Sequence, residues 1–210
     1  MWDDSRDDGI RETFLSAETK FEGKVITVEK WRVRLPDGRE ADREVVHHLG
    51  AAAVVPVDAR GYVTLVRQHR VAIGRVTLEI PAGKLDFKGE DPFDCARREL
   101  EEETGLLANK WQKMAHVVTT PGFCTERIAL YLATDLTQAA TRPDADEFLR
   151  LERMPLSEAV ARVMEGDIVD AKTCLGLLLA QKNLFPAAYM PQDASQYAPK
   201  RREGFPKASG

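Results

Sequence analysis

The sequence lacks the features of membrane, secreted and disulfide-rich proteins. None of its apolar runs approaches the ~20 residues of a membrane-spanning helix. The first eight residues are acidic, unlike a secretory signal peptide. Its three cysteines (Cys95, Cys124 and Cys174) are too few and too scattered for a disulfide framework or a thiolate metal site. These absences predict a cytoplasmic protein with no membrane partner.

The chain also lacks an excess of basic residues and several common catalytic patterns. Its net charge of −4 makes nucleic acid an unexpected partner. A small phosphorylated substrate stays compatible, because a few arginines and a metal ion suffice to bind one. No Gly-rich phosphate loop or Ser-His-Asp order is present, and none of the four histidines is predicted to be catalytic.

The first part of the chain is predicted to form β-strands. Lys24 to Leu35 largely alternates apolar and polar residues, Pro36-Asp37-Gly38 is a turn, and Ala41 to His48 is the returning strand. Ala51 to Val57 is continuously apolar, which is typical of a strand buried on both faces. A small early sheet is marginal alone, so it should pack on the main domain or on a second subunit.

Helices are predicted further along. Asp91 caps the first and Gly105 ends it; Ser157 is the expected cap of a short second helix, and Asp170 begins a third. Further strands are expected around 116–119, 128–134 and 148–153. The order predicts an α/β (α+β) domain with an N-terminal antiparallel strand extension. We divide the chain into the extension (1–50), a catalytic domain (51–185) and a mobile tail (186–210).

The first helix carries an unusual stripe of carboxylates. Glu99 and Glu103 are four residues apart and share a face, with Glu102 beside them. Like charges at this spacing repel, and they lie near the helix end where negative charge is unfavourable. A run of glutamates is most often a solvated helix face. A divalent cation would remove the repulsion, and Mg²⁺ prefers such oxygen ligands.

The residues around this stripe resemble the Nudix box. Glu90, Arg98-Glu99-Leu100, Glu102-Glu103 and Gly105-Leu106 match the box pattern at every position from Glu90 to Leu106. One departure precedes them, since six residues rather than five separate Gly83 from Glu90. A loop insertion there leaves the helix in register.

The resemblance implies a Nudix fold, with a mixed sheet sandwiched between helices, and hydrolysis of a nucleoside diphosphate linked to another group. It implies Mg²⁺, with Mn²⁺ as the alternative metal, and ligands from Glu99, Glu102, Glu103 and the Ala82 carbonyl. Arg98 would orient the acidic side chains and can pair with Glu102; taken alone it could equally be a surface ion pair.

Three segments resemble the ADP-ribose pyrophosphatase subgroup: Leu78 to Gly83, Gly122 to Arg127, and Gly166 to Thr173. Pro121, fifteen residues after Leu106, also has the subgroup's position. The resemblance spans roughly residues 20–185 and implies cleavage of ADP-ribose to AMP and ribose 5-phosphate.

The subgroup also suggests substrate-binding residues and an assembly. Arg43 and Arg70 fall where subgroup members place arginines near the pyrophosphate, a role that suits guanidinium groups; a surface position is equally open for both. Members are typically homodimers that exchange N-terminal strands, so Arg43 can serve the partner's site. Trp31 could stack on adenine, although a tryptophan on a buried face is commoner.

The general base is expected on an acidic loop after the box. Subgroup members carry two glutamates, two residues apart, in the loop that corresponds to Arg142–Phe148 here. Ala145 replaces the first and Glu147 matches the second. Glu147 is therefore the predicted base or extra ligand, with Asp146 behind it; a solvated polar loop is the alternative.

Two further functions stay open from the sequence. The substrate could be another nucleotide sugar or dinucleotide, such as GDP-mannose. A non-catalytic ADP-ribose sensor is a different class, but such domains usually lose box carboxylates, and here the box is intact.

Overall fold

The structure is a computed structural model, and it describes residues 9–138 and 148–185. In these residues, strands and helices follow one another along the chain in this order: β1 Thr13–Glu22, β2 Thr27–Arg34, β3 Glu40–His47, β4 Ala51–Pro56, β5 Tyr62–Arg70, β6 Arg75–Glu79, β7 Ala82–Lys84, α1 Pro92–Thr104, β8 Leu106–Val118, β9 Arg127–Gln138, β10 Arg150–Pro155, α2 Leu156–Glu165 and α3 Ala171–Leu184. A short 3₁₀ helix, Val71–Ile73, joins β5 to β6.

The strands form three sheets. A mixed four-stranded sheet has the order β7-β4-β9-β8, in which β4 and β9 run parallel and the other pairs are antiparallel. An antiparallel sheet has the order β10-β5-β6, and the N-terminal sheet has the order β1-β2-β3. The N-terminal antiparallel extension predicted from the sequence is present.

Strand β4 lies at the centre of the core, as its continuous apolar sequence predicts. Ala52 and Val54 face a cluster that contains Cys95 and Leu100 of α1. The alternate side chains of β4 face a second cluster, which includes residues of α2 and α3. Helices therefore cover both faces of the mixed sheet, and the predicted fold class is confirmed.

Helix α1 begins and ends where its sequence predicts. The Asp91 carboxylate accepts the Phe93 N–H at 2.9 Å, and Pro92 occupies the first turn. Gly105 ends the helix in the left-handed conformation, with its N–H donated to the Glu101 carbonyl at 2.8 Å. These two ends fix which side chains α1 turns toward the sheet.

The cap predicted for α2 is wrong. Pro155, not Ser157, precedes the first helical residue, and no side chain in the described part of the molecule caps the helix. Leu156 is almost fully buried, and its N–H bonds to the Gly61 carbonyl at 2.9 Å. This long-range backbone hydrogen bond satisfies one of the N–H groups at the start of the helix. The cap predicted for α3, Asp170, is confirmed by its bonds to Thr173.

The N-terminal sheet exposes most of its side chains. Strand β1 was not predicted, because its residues are almost all exposed and it forms through backbone pairing with β2. The Val46 N–H donates to the Phe123 carbonyl at 2.7 Å, which ties β3 to the loop that contains Pro121. The division at residue 50 stays a prediction, and residues 186–210 lie outside the described part of the chain.

None of the helices in residues 9–138 and 148–185 has the length and apolar composition that a membrane crossing requires.

Candidate active site

The carboxylates of α1 are turned inward, not toward bulk solvent. Glu99 and Glu103 are buried, with 7% and 6% of their surface exposed, and Glu102 is half-buried beside them. The solvated face that a glutamate run usually indicates is therefore excluded for Glu99 and Glu103. Two buried acids on one helix face need a positive partner.

Strand β7 lies against these carboxylates. The Ala82 N–H donates to Glu103 Oε2 at 3.1 Å. Gly83 packs so closely on Glu99 that a Cβ on this residue would overlap the Glu99 carboxylate. Glycine is required here for close approach, and the backbone of β7 forms one wall of the site.

The loop with the extra residue closes before the helix. The Glu90 carboxylate accepts the Asp86 N–H at 2.6 Å, and the Glu90 N–H donates to the Phe87 carbonyl at 3.2 Å. Gly89 has a φ of 94°, which is the left-handed turn that glycine permits. The insertion is absorbed in this turn, and Glu90 reaches the box arginine.

Arg98 lies at the centre of the acidic side chains. Its Nη1 contacts Glu99 Oε1 at 2.6 Å and Glu102 Oε2 at 3.3 Å. Its Nη2 contacts Asp86 Oδ2 at 3.3 Å and Glu90 Oε1 at 3.5 Å. Burial opposes the charge of Arg98, but the neighbouring carboxylates, Glu99 first, outweigh it and raise the pKa of this guanidinium. The Arg98–Glu102 pair expected from the sequence is present.

The oxygen atoms of these side chains are the kind of ligand that a hard divalent cation prefers, although they are not arranged as a complete coordination site. Among the residues the structure describes, no group of three or more His, Cys, Asp or Glu side chains is arranged to hold a metal ion. Arg98 draws Glu99 and Glu102 toward itself, while Glu103 is bonded to the Ala82 N–H. The available ligand atoms are carboxylate oxygens beside a backbone strand, which suit Mg²⁺.

Cys95 borders this cluster, and Arg98 Nη2 donates to its Sγ at 3.5 Å. Burial, followed by the charge of Glu99, raises the pKa of its thiol to about 12. The thiol is therefore protonated near neutral pH. Cys95 is fully buried and acts as a small core residue.

Arg70 belongs to a second ionic cluster, which was not predicted from the sequence. Its Nε and Nη2 each donate to a different oxygen of Glu79 at 2.7 Å. Lys172 also donates to Glu79, and to Asp170 Oδ2 at 3.0 Å. Burial disfavours the charge on Glu79, but Arg70 and Lys172 outweigh it and lower its pKa to about 2.

Two sequence signals pointed to this second cluster. Glu79 is a charged residue inside the buried run Leu78–Ile80, and Lys172 lies in the Gly166–Thr173 segment noted above. Their pairing is not visible in the sequence, because the two residues are 93 positions apart.

Other predicted substrate residues lie away from the box. Arg43, on β3, binds Glu12 and donates to the Asp42 carbonyl at 2.9 Å. Within the described residues, no hydrogen bond or ion pair joins Arg43 to the box. Pro121 is exposed in the loop that β3 anchors.

Trp31 is half-buried on the N-terminal sheet. Its ring packs edge-to-face on Phe14 with centroids 5.0 Å apart, and its Nε1 donates to Glu29 at 2.7 Å. This packing favours the structural interpretation of Trp31 over adenine stacking. The predicted base Glu147 and its neighbours Ala145 and Asp146 lie outside the described residues.

Comparison with known proteins agrees with this geometry. The NUDIX domain model matches residues 46–173. An ADP-ribose pyrophosphatase of Mycobacterium tuberculosis is 40% identical over 167 residues, which cover 78% of this chain and 80% of the relative. An ADP-ribose pyrophosphatase of Bacillus subtilis is 39% identical over 174 residues, which cover 82% and 94%.

A solved structure shares the fold as well. The crystal structure of an ADP compounds hydrolase superposes with a TM-score of 0.73 at 25% identity, and the match covers 83% of this chain and 94% of that one. The intact box, the family match and these relatives lead to one conclusion: the chain is a member of the Nudix family.

Proposed function

We propose that the protein hydrolyses the pyrophosphate bond of ADP-ribose, with Mg²⁺ as cofactor. Water adds across the P–O–P linkage, and the products are AMP and ribose 5-phosphate. The observation that carries this proposal is the sequence identity of 40% and 39% to two ADP-ribose pyrophosphatases over most of the chain. The buried carboxylates of α1 support it chemically, because their oxygen atoms suit Mg²⁺ as ligands.

Glu99, Glu102, Glu103 and the Ala82 carbonyl would hold the metal. Bound there, Mg²⁺ would offset the charge of the diphosphate and of the acidic side chains. Mn²⁺ has the same ligand preference and is the alternative ion.

The protein groups act on the substrate and on each other. Arg98 holds the carboxylates of Glu99 and Glu102 in a fixed arrangement. Arg70 binds the phosphates at the box of its own chain, and Pro121 shapes the loop beside the substrate. Arg43, which lies away from that box, binds the phosphates at the site of the partner subunit. Glu147 accepts the proton of the attacking water, with Asp146 as its substitute.

We also propose a homodimer that shares the N-terminal sheet. The sheet exposes large apolar side chains, among them Phe14 and Phe21, of which 53% and 54% of the surface is exposed. Such residues favour burial against a second copy. Light scattering coupled to size exclusion tests this: a mass of about one chain, rather than two, would contradict it. The three free cysteines support a cytoplasmic location.

A hydrolysis screen with Mg²⁺ tests the function. The panel contains ADP-ribose, GDP-mannose and a dinucleoside polyphosphate, and the products are separated by chromatography. We expect AMP and ribose 5-phosphate from ADP-ribose at the highest kcat/KM. Faster cleavage of GDP-mannose would transfer the assignment to that substrate. Tight ADP-ribose binding without cleavage of any compound would indicate a sensor.

A further inference from the structure

The side chains around Glu79 form a network of hydrogen bonds that lies outside the box. Glu79 has only 2% of its surface exposed. Arg70 donates two hydrogen bonds to the Glu79 carboxylate, and the Thr77 hydroxyl donates to the same carboxylate at 2.6 Å. Lys172 completes the set from the first turn of α3. A buried carboxylate with this many donors is held in one fixed position.

The cluster leaves one end of Arg70 available. Glu79 uses Nε and Nη2 of the guanidinium, and Nη1 has no hydrogen-bond partner among residues 9–138 and 148–185. Nearly half of the Arg70 side chain, 42%, is exposed. Its partner Glu79 lies three residues before Ala82, whose N–H donates to Glu103 Oε2 in the box at 3.1 Å. The Arg70 guanidinium is held in one orientation near the box carboxylates, and its Nη1 is available. It can therefore donate a hydrogen bond to one phosphate oxygen of the substrate.

The same cluster fixes the backbone that leads to the metal ligands. The Ile80 N–H, next to Glu79, donates to the Thr173 hydroxyl at 2.9 Å. The Thr173 hydroxyl in turn donates to Asp170 Oδ2 at 2.6 Å. Two residues after Ile80, the Ala82 N–H bonds to Glu103. The first turn of α3 thus anchors both Arg70 and the strand that borders the box.

We propose that Glu79 and Lys172 are positioning residues, which hold Arg70 in the orientation that binds the substrate's pyrophosphate. This inference rests on the proposed function, because it assumes a diphosphate substrate at the box. Asp170 and Thr173 support the arrangement by fixing the start of α3. The segment Asp170 to Thr173 is thereby assigned a role in substrate binding, although it supplies no group to the reacting atoms.

Steady-state kinetics at saturating Mg²⁺ test the proposal. Glu79→Gln keeps the side-chain shape but loses the charge that orients Arg70, so we expect KM to rise about 10-fold while kcat changes less than about threefold. Lys172→Met should raise KM by a smaller factor, and Lys172→Arg should keep it near the wild-type value. Because Lys172→Met leaves the Arg70–Glu79 pair intact, it supplies a second test if Glu79→Gln folds poorly.

A double-mutant cycle separates positioning from general destabilisation. In the background of Arg70→Met, Glu79→Gln should change KM by less than about twofold, because the group it orients is already gone. Effects on KM that multiply in the double variant would overturn the proposal. So would an unchanged KM in Glu79→Gln with a lowered melting temperature.

Arg67→Met is the matched control. Arg67 lies on the same strand as Arg70, is similarly exposed at 41%, and pairs with Glu152 of β10 instead of Glu79. We expect its KM to stay within about twofold of wild type.

The cycle is measured on the diphosphate that the wild type cleaves best, or as the Kd of ADP-ribose if binding occurs without cleavage. A wrong substrate assignment then appears in the wild-type data, whereas a wrong positioning role appears in the cycle.

Discussion

Two clusters of arginine and carboxylates lie close together in this molecule, and their charge balance differs. Arg98 contacts four carboxylates, and one of these, Asp86, also pairs with Lys84 at 3.6 Å. Among the ion pairs of residues 9–138 and 148–185, two cations thus face four acids. In the second cluster, Arg70 and Lys172 face Glu79 and Asp170, so two cations meet two acids.

The difference indicates separate roles for two chemically similar sites. A balanced buried cluster fixes geometry and needs no further ion. An acidic excess around buried carboxylates is unfavourable unless a cation joins it. The box cluster is therefore expected to bind a metal, and the Glu79 cluster to hold an arginine.

Removing one charge from the box should have the largest effect. Glu103→Gln keeps the shape of a buried ligand but loses the charge that binds the cation. We expect kcat/KM for ADP-ribose to fall more than about 100-fold, since even groups behind a metal ligand typically contribute 10- to 100-fold. Glu101→Gln, on the same helix and outside the stripe, is the control. Equal activity in the two variants would remove Glu103 from the metal site.

Filling the space between β7 and the box should have the next largest effect. A Cβ at Gly83 would overlap the Glu99 carboxylate, so Gly83→Ala must displace either the strand or the ligand. We expect a loss of about 10- to 100-fold in kcat/KM. Gly9→Ala, where a Cβ meets no atom within 4 Å, controls for the substitution itself. Full activity in Gly83→Ala would show that Glu99 need not occupy this position.

The charge of Glu79 in the second cluster should affect how the free energy of unfolding changes at acidic pH. The pKa of Glu79 is lowered in the folded state from 4.5 to about 2. Its stabilising contribution is therefore complete above pH ~4.5 and is lost as the pH falls toward 2. Urea unfolding should show Glu79→Gln less stable by about 1–3 kcal/mol at pH 6. The gap to wild type should narrow below pH ~4.5, and a gap that widens there would contradict the assignment.

Replacing the box arginine with lysine should have the smallest effect. Arg98→Lys retains one positive charge but loses the fork that reaches Glu99 and Glu102 together. We expect kcat to fall by up to about 10-fold, with the melting temperature nearly unchanged. Arg97→Lys, which is exposed on the same helix, serves as the control in the same assay. A larger loss than in Glu103→Gln would reverse the order of importance proposed here.

The sequence predicted the features that depend on local patterns. The ends of α1 followed from Asp91, Pro92 and Gly105, and the buried position of β4 followed from its apolar run. The acidic stripe was also local, because helix periodicity alone places Glu99 and Glu103 on one face.

The features that depend on long-range contacts were not predictable in this way. Strand β1 forms by pairing with β2 while its side chains stay exposed, so it leaves little hydrophobic pattern. The start of α2 is set by a bond to Gly61, far back in the chain. The Glu79–Lys172 contact joins two segments that only the folded sheet and α3 bring together.

Manganese binding, followed by electron paramagnetic resonance of the free ion, tests the central claim most directly. The claim is that the carboxylates around Arg98 form the divalent cation site, and this measurement does not depend on knowing the substrate. Wild type, Glu101→Gln and Glu79→Gln should bind Mn²⁺ with similar affinity, whereas Glu103→Gln should bind it at least about 10-fold more weakly. Unchanged binding in Glu103→Gln would contradict the account.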